Sequence, residues 1–244
     1  MFGVNFSIYY LILLGRFKSA FKDEELRFYL LVVFGSVGLI VWNLLYNNVY
    51  GVGDSIRHAF FQVVSLITTT GYSTANFEND WPAFSQAILV ILMAVGACAG
   101  STGGGLKCSR VIMLFKIMKR NIAEVLHPQK VQTVRLSGKP VSEKIVANTN
   151  AYFAAYIILM VGSFLLVSLD SFLLGSPFGF TENSTAVLSC FNNIGPGLGK
   201  IGPSSNFAEF GVFSKVVLIL DMLAGRLEIF PILVLFSPQA WKRG

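Results

Sequence analysis

Two long apolar stretches constrain the fold of this chain more than any other feature of its sequence. Residues 149–169 carry no charge, and residues 26–46 carry only Arg27. A helix of about 20 apolar residues is long enough to cross the hydrocarbon core of a bilayer. In that environment the backbone must satisfy its own hydrogen bonds, so such stretches fold as helices. The sequence therefore predicts an all-α polytopic membrane protein.

The composition and the charge pattern indicate the same class. Of the 244 residues, 54% are hydrophobic and 13% are charged, whereas a soluble domain carries about a quarter charged residues. The net charge of +6 does not indicate nucleic-acid binding, because the basic residues lie beside apolar stretches, as the positive-inside rule predicts. The side that carries them, including the C-terminus, is predicted to be cytoplasmic. These residues are Lys107, Arg110, Lys116, Lys119, Arg120, Lys130, Arg135, Lys139, Lys144, Lys242 and Arg243.

Two shorter apolar segments, 55–68 and 181–193, are too short to cross a bilayer as helices. The first leads into Thr-Thr-Thr-Gly-Tyr at 68–72, and the second leads into Ile-Gly-Pro-Gly at 194–197. A glycine in such a loop lets backbone carbonyls turn towards a cation, as in the selectivity filters of channels. We therefore predict two re-entrant helices, each followed by a filter loop. A polar turn between helices is the alternative interpretation of the loop at 68–72.

One offset of 124 residues relates these features to each other. It carries Gly71 onto Gly195, the apolar stretch 26–46 onto 150–170, and the short helix 55–68 onto 179–192. The predicted unit is therefore a span, a short helix, a filter loop and a second span, repeated in the same orientation. Such a unit cannot enclose an axis alone, so several must group around one. The predicted organisation is 1–22 as the end of a preceding membrane helix with a cytoplasmic link, 23–144 as the first unit with its basic loop, and 145–244 as the second unit.

The predicted span at 83–118 is interrupted by Gly-Ser-Thr-Gly-Gly-Gly-Leu-Lys at 100–107. Three consecutive glycines cannot hold a regular helix, at about 1 kcal/mol each relative to alanine. Irregular backbone at membrane depth is tolerated where it lines water or is buried in protein, so this break should face a pore. Close helix packing through small residues is the alternative.

The last predicted span, 208–236, is interrupted near Arg226 and Glu228. Charges within spans are costly and usually functional. We predict that Arg226 lies at the pore axis as an electrostatic barrier to cations, held by Glu228 or by loop carbonyls. A salt bridge that merely joins two helices is the alternative.

Four motifs together resemble the Trk/Ktr/HKT superfamily of potassium transporters, and in particular the membrane subunit of its bacterial TrkH type. They are Thr-Thr-Thr-Gly-Tyr at 68–72, Ala-Gly-Ser-Thr-Gly-Gly-Gly-Leu-Lys at 99–107, Asn-Asn-Ile-Gly-Pro-Gly at 192–197, and Gly-Arg-Leu-Glu at 225–228. That family builds one pore from four unequal repeats. This chain resembles the third and fourth repeats, and Gly-Val-Asn-Phe at 3–6 resembles the end of the second. The chain is then expected to be a piece of a longer protein lacking the N-terminal repeats, or else a half-size transporter.

The resemblance implies roles for particular residues. The implied filter residues are Thr69, Thr70, Gly71, Tyr72, Asn193, Ile194, Gly195 and Pro196, with K⁺ at Thr70, Gly71, Ile194 and Gly195. The implied gate loop, which must move for conduction, contains Gly100, Ser101, Thr102, Gly103, Gly104, Gly105 and Lys107, and the implied pore barrier is Arg226 with Glu228. Asn193 and Ile194 replace a threonine pair, which makes the ring asymmetric and should blunt selectivity.

The predicted function is potassium uptake across a bacterial inner membrane, with K⁺ as the cargo and no bound cofactor. The implied partners are the lipid bilayer, a second copy in a homodimer, and a cytosolic ring of nucleotide-binding regulatory subunits of the TrkA or KtrA type. A cation-coupled symporter is an alternative, because broken helices also form the midplane sites of carriers. A non-conducting assembly subunit of a larger pore is the other. An enzyme is not expected, because no acid, base or nucleophile is grouped in the sequence.

Overall fold

The computed structural model describes residues 3–127, 132–227 and 229–235. The predicted all-α class is confirmed, because strands occupy only one small hairpin of the described chain. The helices are α1 (Phe6–Leu13), α2 (Phe17–Ala20), α3 (Glu24–Tyr46), α4 (Val52–Ile67), α5 (Phe77–Asp80), α6 (Ala83–Ala94), α7 (Cys108–Leu126), α8 (Glu143–Leu173), α9 (Phe180–Phe191), α10 (Val212–Leu227) and α11 (Ile229–Leu235), with a 3-10 turn at Gly199–Ile201.

Two of these helices, α3 and α8, are long and apolar enough to cross a membrane. Helix α3 begins where the side chain of Asp23 accepts the backbone N–H of Leu26 at 3.0 Å, which satisfies one of the free donors of its first turn. Helix α8 starts six residues before the predicted apolar stretch at 149. Its extra turns carry Glu143, whose carboxylate accepts hydrogen bonds from Arg120 of α7 at 2.9 and 3.0 Å. That contact joins α8 to the end of α7.

A first group of helices, α3, α4 and α6, packs around side chains that are almost fully buried. They are Ile40 and Leu44 from α3, Val63, Leu66 and Ile67 from α4, and Leu89 and Met93 from α6. Between helices in a bilayer such side chains stabilise the fold through van der Waals packing, since lipid tails are as apolar as they are. Helix α4 is therefore held between α3 and α6.

A second group, α8, α9 and α10, is assembled in the same way. Val167 of α8, Val187 of α9 and Leu218 of α10 share one buried cluster. Polar contacts add to it: Asp170 of α8 accepts the backbone N–H of Ser214 at 3.1 Å and its hydroxyl at 2.5 Å. Helix α9 lies between α8 and α10 as α4 lies between α3 and α6.

The helix that corresponds to the predicted span 208–236 begins later than predicted. Helix α10 starts at Val212. The chain before it is not helical, and there the amine of Lys215 donates to the carbonyl of Ala208 at 2.7 Å. A Cβ placed on Gly211 would lie only 2.4 Å from the carboxylate of Asp170, so the chain passes close to α8 at this point. Glu228, the basic residue Lys130 and the two C-terminal basic residues lie outside the described residues.

The two groups share a core and are also joined through the basic end of the molecule. Leu188, Ile194 and Leu198 of the second group are buried in the same cluster as Val63 and Ile67 of the first. At the basic end, α7 packs against both α3 and α8, and a short hairpin of β1 (Arg135–Leu136) and β2 (Lys139–Pro140) follows it. The two predicted filter loops follow α4 and α9, and they lie where the C-terminal ends of these helices approach each other.

Candidate functional site

The loop that follows α4, residues 68–72, is called loop A here. It folds back on its own helix, because the N–H of Thr69 donates to the carbonyl of Leu66 at 3.0 Å and that of Thr70 to the carbonyl of Ser65 at 2.9 Å. Thr69 has φ of 54° and Gly71 has φ of 76°. A β-branched residue rarely adopts positive φ, so Thr69 is strained, whereas glycine adopts it readily.

The loop that follows α9, residues 192–196, is called loop B and has the same backbone pattern. The N–H of Asn193 donates to Cys190 at 3.0 Å, and that of Ile194 donates to Ser189 at 2.9 Å. Asn193 has φ of 57° and Gly195 has φ of 117°. Each of these residues stands 124 positions after its counterpart in loop A.

A serine near the end of each helix braces its loop, and the motif reading of the sequence did not single out either one. The hydroxyl of Ser65 donates to the carbonyl of Tyr72 at 2.5 Å. Ser189 accepts the N–H of Gly195 on its hydroxyl at 3.0 Å. The 124-residue offset pairs these serines, so it was the signal that could have identified them.

Loops A and B meet at Gly71. A Cβ placed on Gly71 would lie 2.0 Å from the carbonyl oxygen of Ile194 and 3.3 Å from Cδ of Pro196, so only glycine allows this approach. A Cβ on Gly195, by contrast, would have no atom within 4 Å. Both α4 and α9 thus direct their C-terminal ends, which carry partial negative charge, to one place.

Residues 95–107, called the glycine loop here, separate α6 from α7. Val95 pairs with Leu106 in a parallel bridge, and the N–H of Gly96 donates to the carbonyl of Leu106 at 2.9 Å. The N–H of Cys108 donates to the carbonyl of Ala97 at 3.1 Å. The two ends of the glycine loop are therefore closed together, and its middle projects from them.

The middle of the glycine loop touches both loop A and loop B. The N–H of Gly104 donates to the Thr69 hydroxyl at 3.0 Å. A Cβ on Gly104 would lie 2.6 Å from the carbonyl oxygen of Asn192, and one on Gly105, where φ is 71°, would lie 2.8 Å from the Asn192 side-chain oxygen. The side chain of Asn192 is itself held by the hydroxyl of Tyr156 at 3.0–3.1 Å. The consecutive glycines are therefore needed for close backbone approach.

Two cationic side chains donate to carbonyls of the glycine loop. Arg226, in the last turn of α10, donates to the carbonyl of Thr102 at 2.7 Å, and Lys107 donates to that of Gly103. The preceding Gly225 brings α10 against the end of α9, because a Cβ there would lie 1.7 Å from the carbonyl oxygen of Phe191.

A separate contact joins the outer segments of the two groups. The carboxylate of Glu78 in α5 lies against the backbone of Gly202, where a Cβ would overlap Glu78 Oε2. This burial raises the pKa of Glu78 above its ordinary value of 4.5, and the Gly202 backbone lowers it by less. The segments that follow loops A and B are thus packed together.

The membrane-length helices, the matched loops and the cation-held glycine segment define a helical membrane transport protein. The family model described as "TrkH: Cation transport protein" matches residues 3–243. The chain belongs to the TrkH family of cation transport proteins, which are transporters, so the prediction that it is not an enzyme is confirmed.

Relatives of this chain have consistent names. The Trk system potassium uptake protein TrkH of Escherichia coli K12 is 36% identical over 245 residues, covering 98% of this chain and 48% of that protein. TrkH of Halomonas elongata is 33% identical over 93% of this chain and 45% of that protein. The crystal structure of the potassium transporter TrkH from Vibrio parahaemolyticus superposes with a TM-score of 0.87 at 32% identity, over 98% of this chain and 50% of that one. The chain therefore spans about half the length of the relatives that it matches.

Proposed function

We propose that this chain forms part of a potassium uptake pathway in which loops A and B supply two segments of a selectivity filter. The observation that carries the proposal is the meeting of two loops with the same backbone hydrogen-bond pattern, with Gly71 against the carbonyl of Ile194. The names of the relatives supply the ion, since they are potassium uptake proteins.

The chemistry follows from the backbone. Carbonyl oxygens around Thr70 and Gly71, and around Ile194 and Gly195, replace the water that a K⁺ ion sheds on entry. The C-terminal ends of α4 and α9 add partial negative charge behind them. The driving force is the ion gradient and the membrane potential, about 2.3 kcal/mol per charge for each 100 mV. No cofactor and no titrating group is required.

The glycine loop acts as the gate in this proposal. It is supported by the contact of Gly104 with Thr69 and by the close fit of Gly104 and Gly105 against Asn192, which put the glycine loop at the inner ends of both filter loops. An ion leaving the filter meets this segment, so the segment must move for conduction. Arg226 donates to Thr102 at the same place and adds a positive charge that opposes cations while the gate is closed.

The wider assembly is proposed on the same basis. The two filter loops are two of the four that enclose a pore, and the others come from N-terminal repeats of the kind that the relatives' additional length can hold. The end of α7 and the basic hairpin face the cytoplasm, where a nucleotide-binding regulatory ring of the TrkA or KtrA type would bind, and the transporter forms a homodimer. The units 23–144 and 145–244 are the repeats.

The test is growth of a bacterium that lacks its own potassium uptake systems, at low external potassium. The strain would express this chain alone, or this chain joined after the N-terminal half of Escherichia coli TrkH. We expect growth with the joined protein and its loss on Gly71→Ser. Gly15→Ser is the matched control: Gly15 has φ of 70°, close to the 76° of Gly71, but it lies between α1 and α2 with no atom within 4 Å of an added Cβ.

The alternatives give different results in the same strain. If Gly71→Ser left potassium uptake unaltered while the protein was present in the membrane, the chain would be an assembly subunit of another pore. Uptake that required a fixed ratio of H⁺ or Na⁺ to K⁺ would indicate a symporter. Uptake that rises linearly with external potassium and shows no fixed ratio is expected for a channel-like pathway.

A further inference from the structure

A buried carboxylate at the start of α3 bonds both to the glycine loop and to the first turn of α7, which follows that loop. Glu25 is only 8% exposed. Its Oε1 atom accepts the backbone N–H of Ala99 at 2.7 Å and the backbone N–H of Ser109 at 2.9 Å. Ala99 precedes the consecutive glycines and Ser109 follows them, so one oxygen atom connects the two sides of the segment.

The contact with Ser109 also satisfies the start of α7. The first N–H groups of a helix have no partner within the helix and are usually bonded by a local capping side chain. Lys107, which stands in the capping position of α7, makes no such side-chain bond. Glu25 supplies the acceptor from another helix, and its negative charge suits the positive end of the α7 dipole.

The part of the glycine loop that Glu25 holds is also fixed by backbone contacts. The N–H of Cys98 donates to the carbonyl of Gly3 at 2.9 Å, and the N–H of Phe6 donates to the carbonyl of Gly100 at 3.2 Å. Residues 102–104, by contrast, are held by side chains: the Thr69 hydroxyl, Arg226 and Lys107. Side-chain contacts can be exchanged without disturbing the backbone around them.

The boundaries between the fixed and the side-chain-held parts are glycines. Gly100 has φ of 70° and Gly105 has φ of 71°, a conformation that glycine enters and leaves at little cost. Residues that absorb backbone rotation at the ends of a moving segment are the usual hinges of such motions. The geometry therefore divides the glycine loop into two anchored ends and a short middle with a glycine on either side.

We propose that Glu25 is the positioning residue of the gate: it fixes Ala99 and Ser109 so that only residues 102–104 move, with Gly100 and Gly105 absorbing the backbone rotation, when an ion passes. This inference rests on the proposed function of the glycine loop. In this proposal Glu25 does not contact the ion. It sets which part of the loop is free to move and therefore how often the gate opens, without changing the filter.

The first test is hydrogen exchange of the detergent-solubilised protein. It measures how strongly the backbone N–H groups around Ala99 and Ser109 are protected, whether or not the protein conducts. Hydrogen bonds to a charged group are worth about 1.5–3 kcal/mol, so Glu25→Ala should lower protection in peptides covering 97–110 by about tenfold or more. Glu25→Gln keeps an acceptor oxygen and should restore part of the protection. Glu24→Gln is the control, since Glu24 binds Lys116 at the basic end instead of the glycine loop.

The second test separates positioning from general destabilisation. In the complementing strain, Glu25→Gln should raise the rate of potassium uptake severalfold at each external potassium concentration and leave the ratio of rubidium to potassium uptake unchanged, because the filter is intact. Unchanged exchange over 97–110 in Glu25→Ala would overturn the proposal, as would an equal loss of protection in Glu24→Gln or in every helix. Failure of the parent protein to support uptake would instead contradict the proposed function and leave the exchange result standing.

Discussion

Gly225→Ala tests whether the close approach of α10 to α9 or helix propensity decides stability. Alanine is favoured over glycine within a helix by about 1 kcal/mol, so propensity alone predicts stabilisation. A Cβ at this position, however, would lie 1.7 Å from the carbonyl oxygen of Phe191 and 2.8 Å from its carbon. The two helices would have to separate by about 1.8 Å to restore an ordinary contact of roughly 3.5 Å.

The overlap should outweigh the propensity. Overpacking a well-packed contact costs about 1–3 kcal/mol, and a backbone carbonyl has no rotamer by which to move aside, so the upper end applies here. Subtracting the propensity gain leaves a net destabilisation of about 2 kcal/mol. At roughly 2–4 °C per kcal/mol for a chain of this size, Tm should fall by about 4–8 °C.

The assay is thermal unfolding of the detergent-solubilised protein, with Gly162→Ala as the matched control. Gly162 lies within α8, and a Cβ there would have no atom within 4 Å, so alanine should raise Tm by about 2–4 °C. Gly225→Ala should also reduce potassium uptake, because Phe191 directly precedes loop B. A Tm for Gly225→Ala at or above that of the unmodified protein would refute the packing argument.

Two further predictions concern charged side chains. Arg226→Ala removes the donor to Thr102 and should raise rubidium or potassium uptake, whereas Arg226→Lys keeps the charge and should raise it less; equal uptake by all three proteins would contradict the barrier role. For Glu78, burial raises the pKa above 4.5, so the folded state binds its proton more tightly than the unfolded state does, and stability should fall as pH rises from about 4.5 through the folded-state pKa. Tm measured between pH 4 and 7 should fall less steeply for Glu78→Gln, while the exposed control Glu209→Gln should follow the unmodified protein.

The sequence predicted the helical class and the main elements because their causes are local. The uncharged stretch 149–169 has no stable alternative to a helix in hydrocarbon, and it lies within α8. The short helix predicted at 55–68 corresponds to α4, Val52–Ile67, and that predicted at 181–193 corresponds to α9, Phe180–Phe191. The interruption predicted at 100–107 lies between α6 and α7, since glycines lower helix stability wherever they stand.

Contacts between distant segments were predictable only where they restrict which residue type can occupy a position. Close backbone approach excludes a Cβ, so Gly71 and Gly104 stand out in the sequence even though Ile194 and Asn192, which exclude the Cβ, are far along the chain. The start of the last helix was predicted too early. The carboxylate that accepts hydrogen bonds from Ser214 in the first turn of α10 is that of Asp170 in α8, so it leaves no signal in the local sequence.

The role of Glu25 shows the limit of motif reading most clearly. In the sequence it is one of three acidic residues, 23–25, before an apolar stretch, and the helix dipole explains all three equally well. The fold gives them different partners: Asp23 caps its own helix, Glu24 binds Lys116, and Glu25 turns inward to Ala99 and Ser109. A charge can be buried only where donors meet it, and two backbone N–H groups without helical partners do so here, one in the glycine loop and one in the first turn of α7. The break in the helix and the buried acid therefore explain each other, since each supplies the hydrogen-bonding groups that the other lacks.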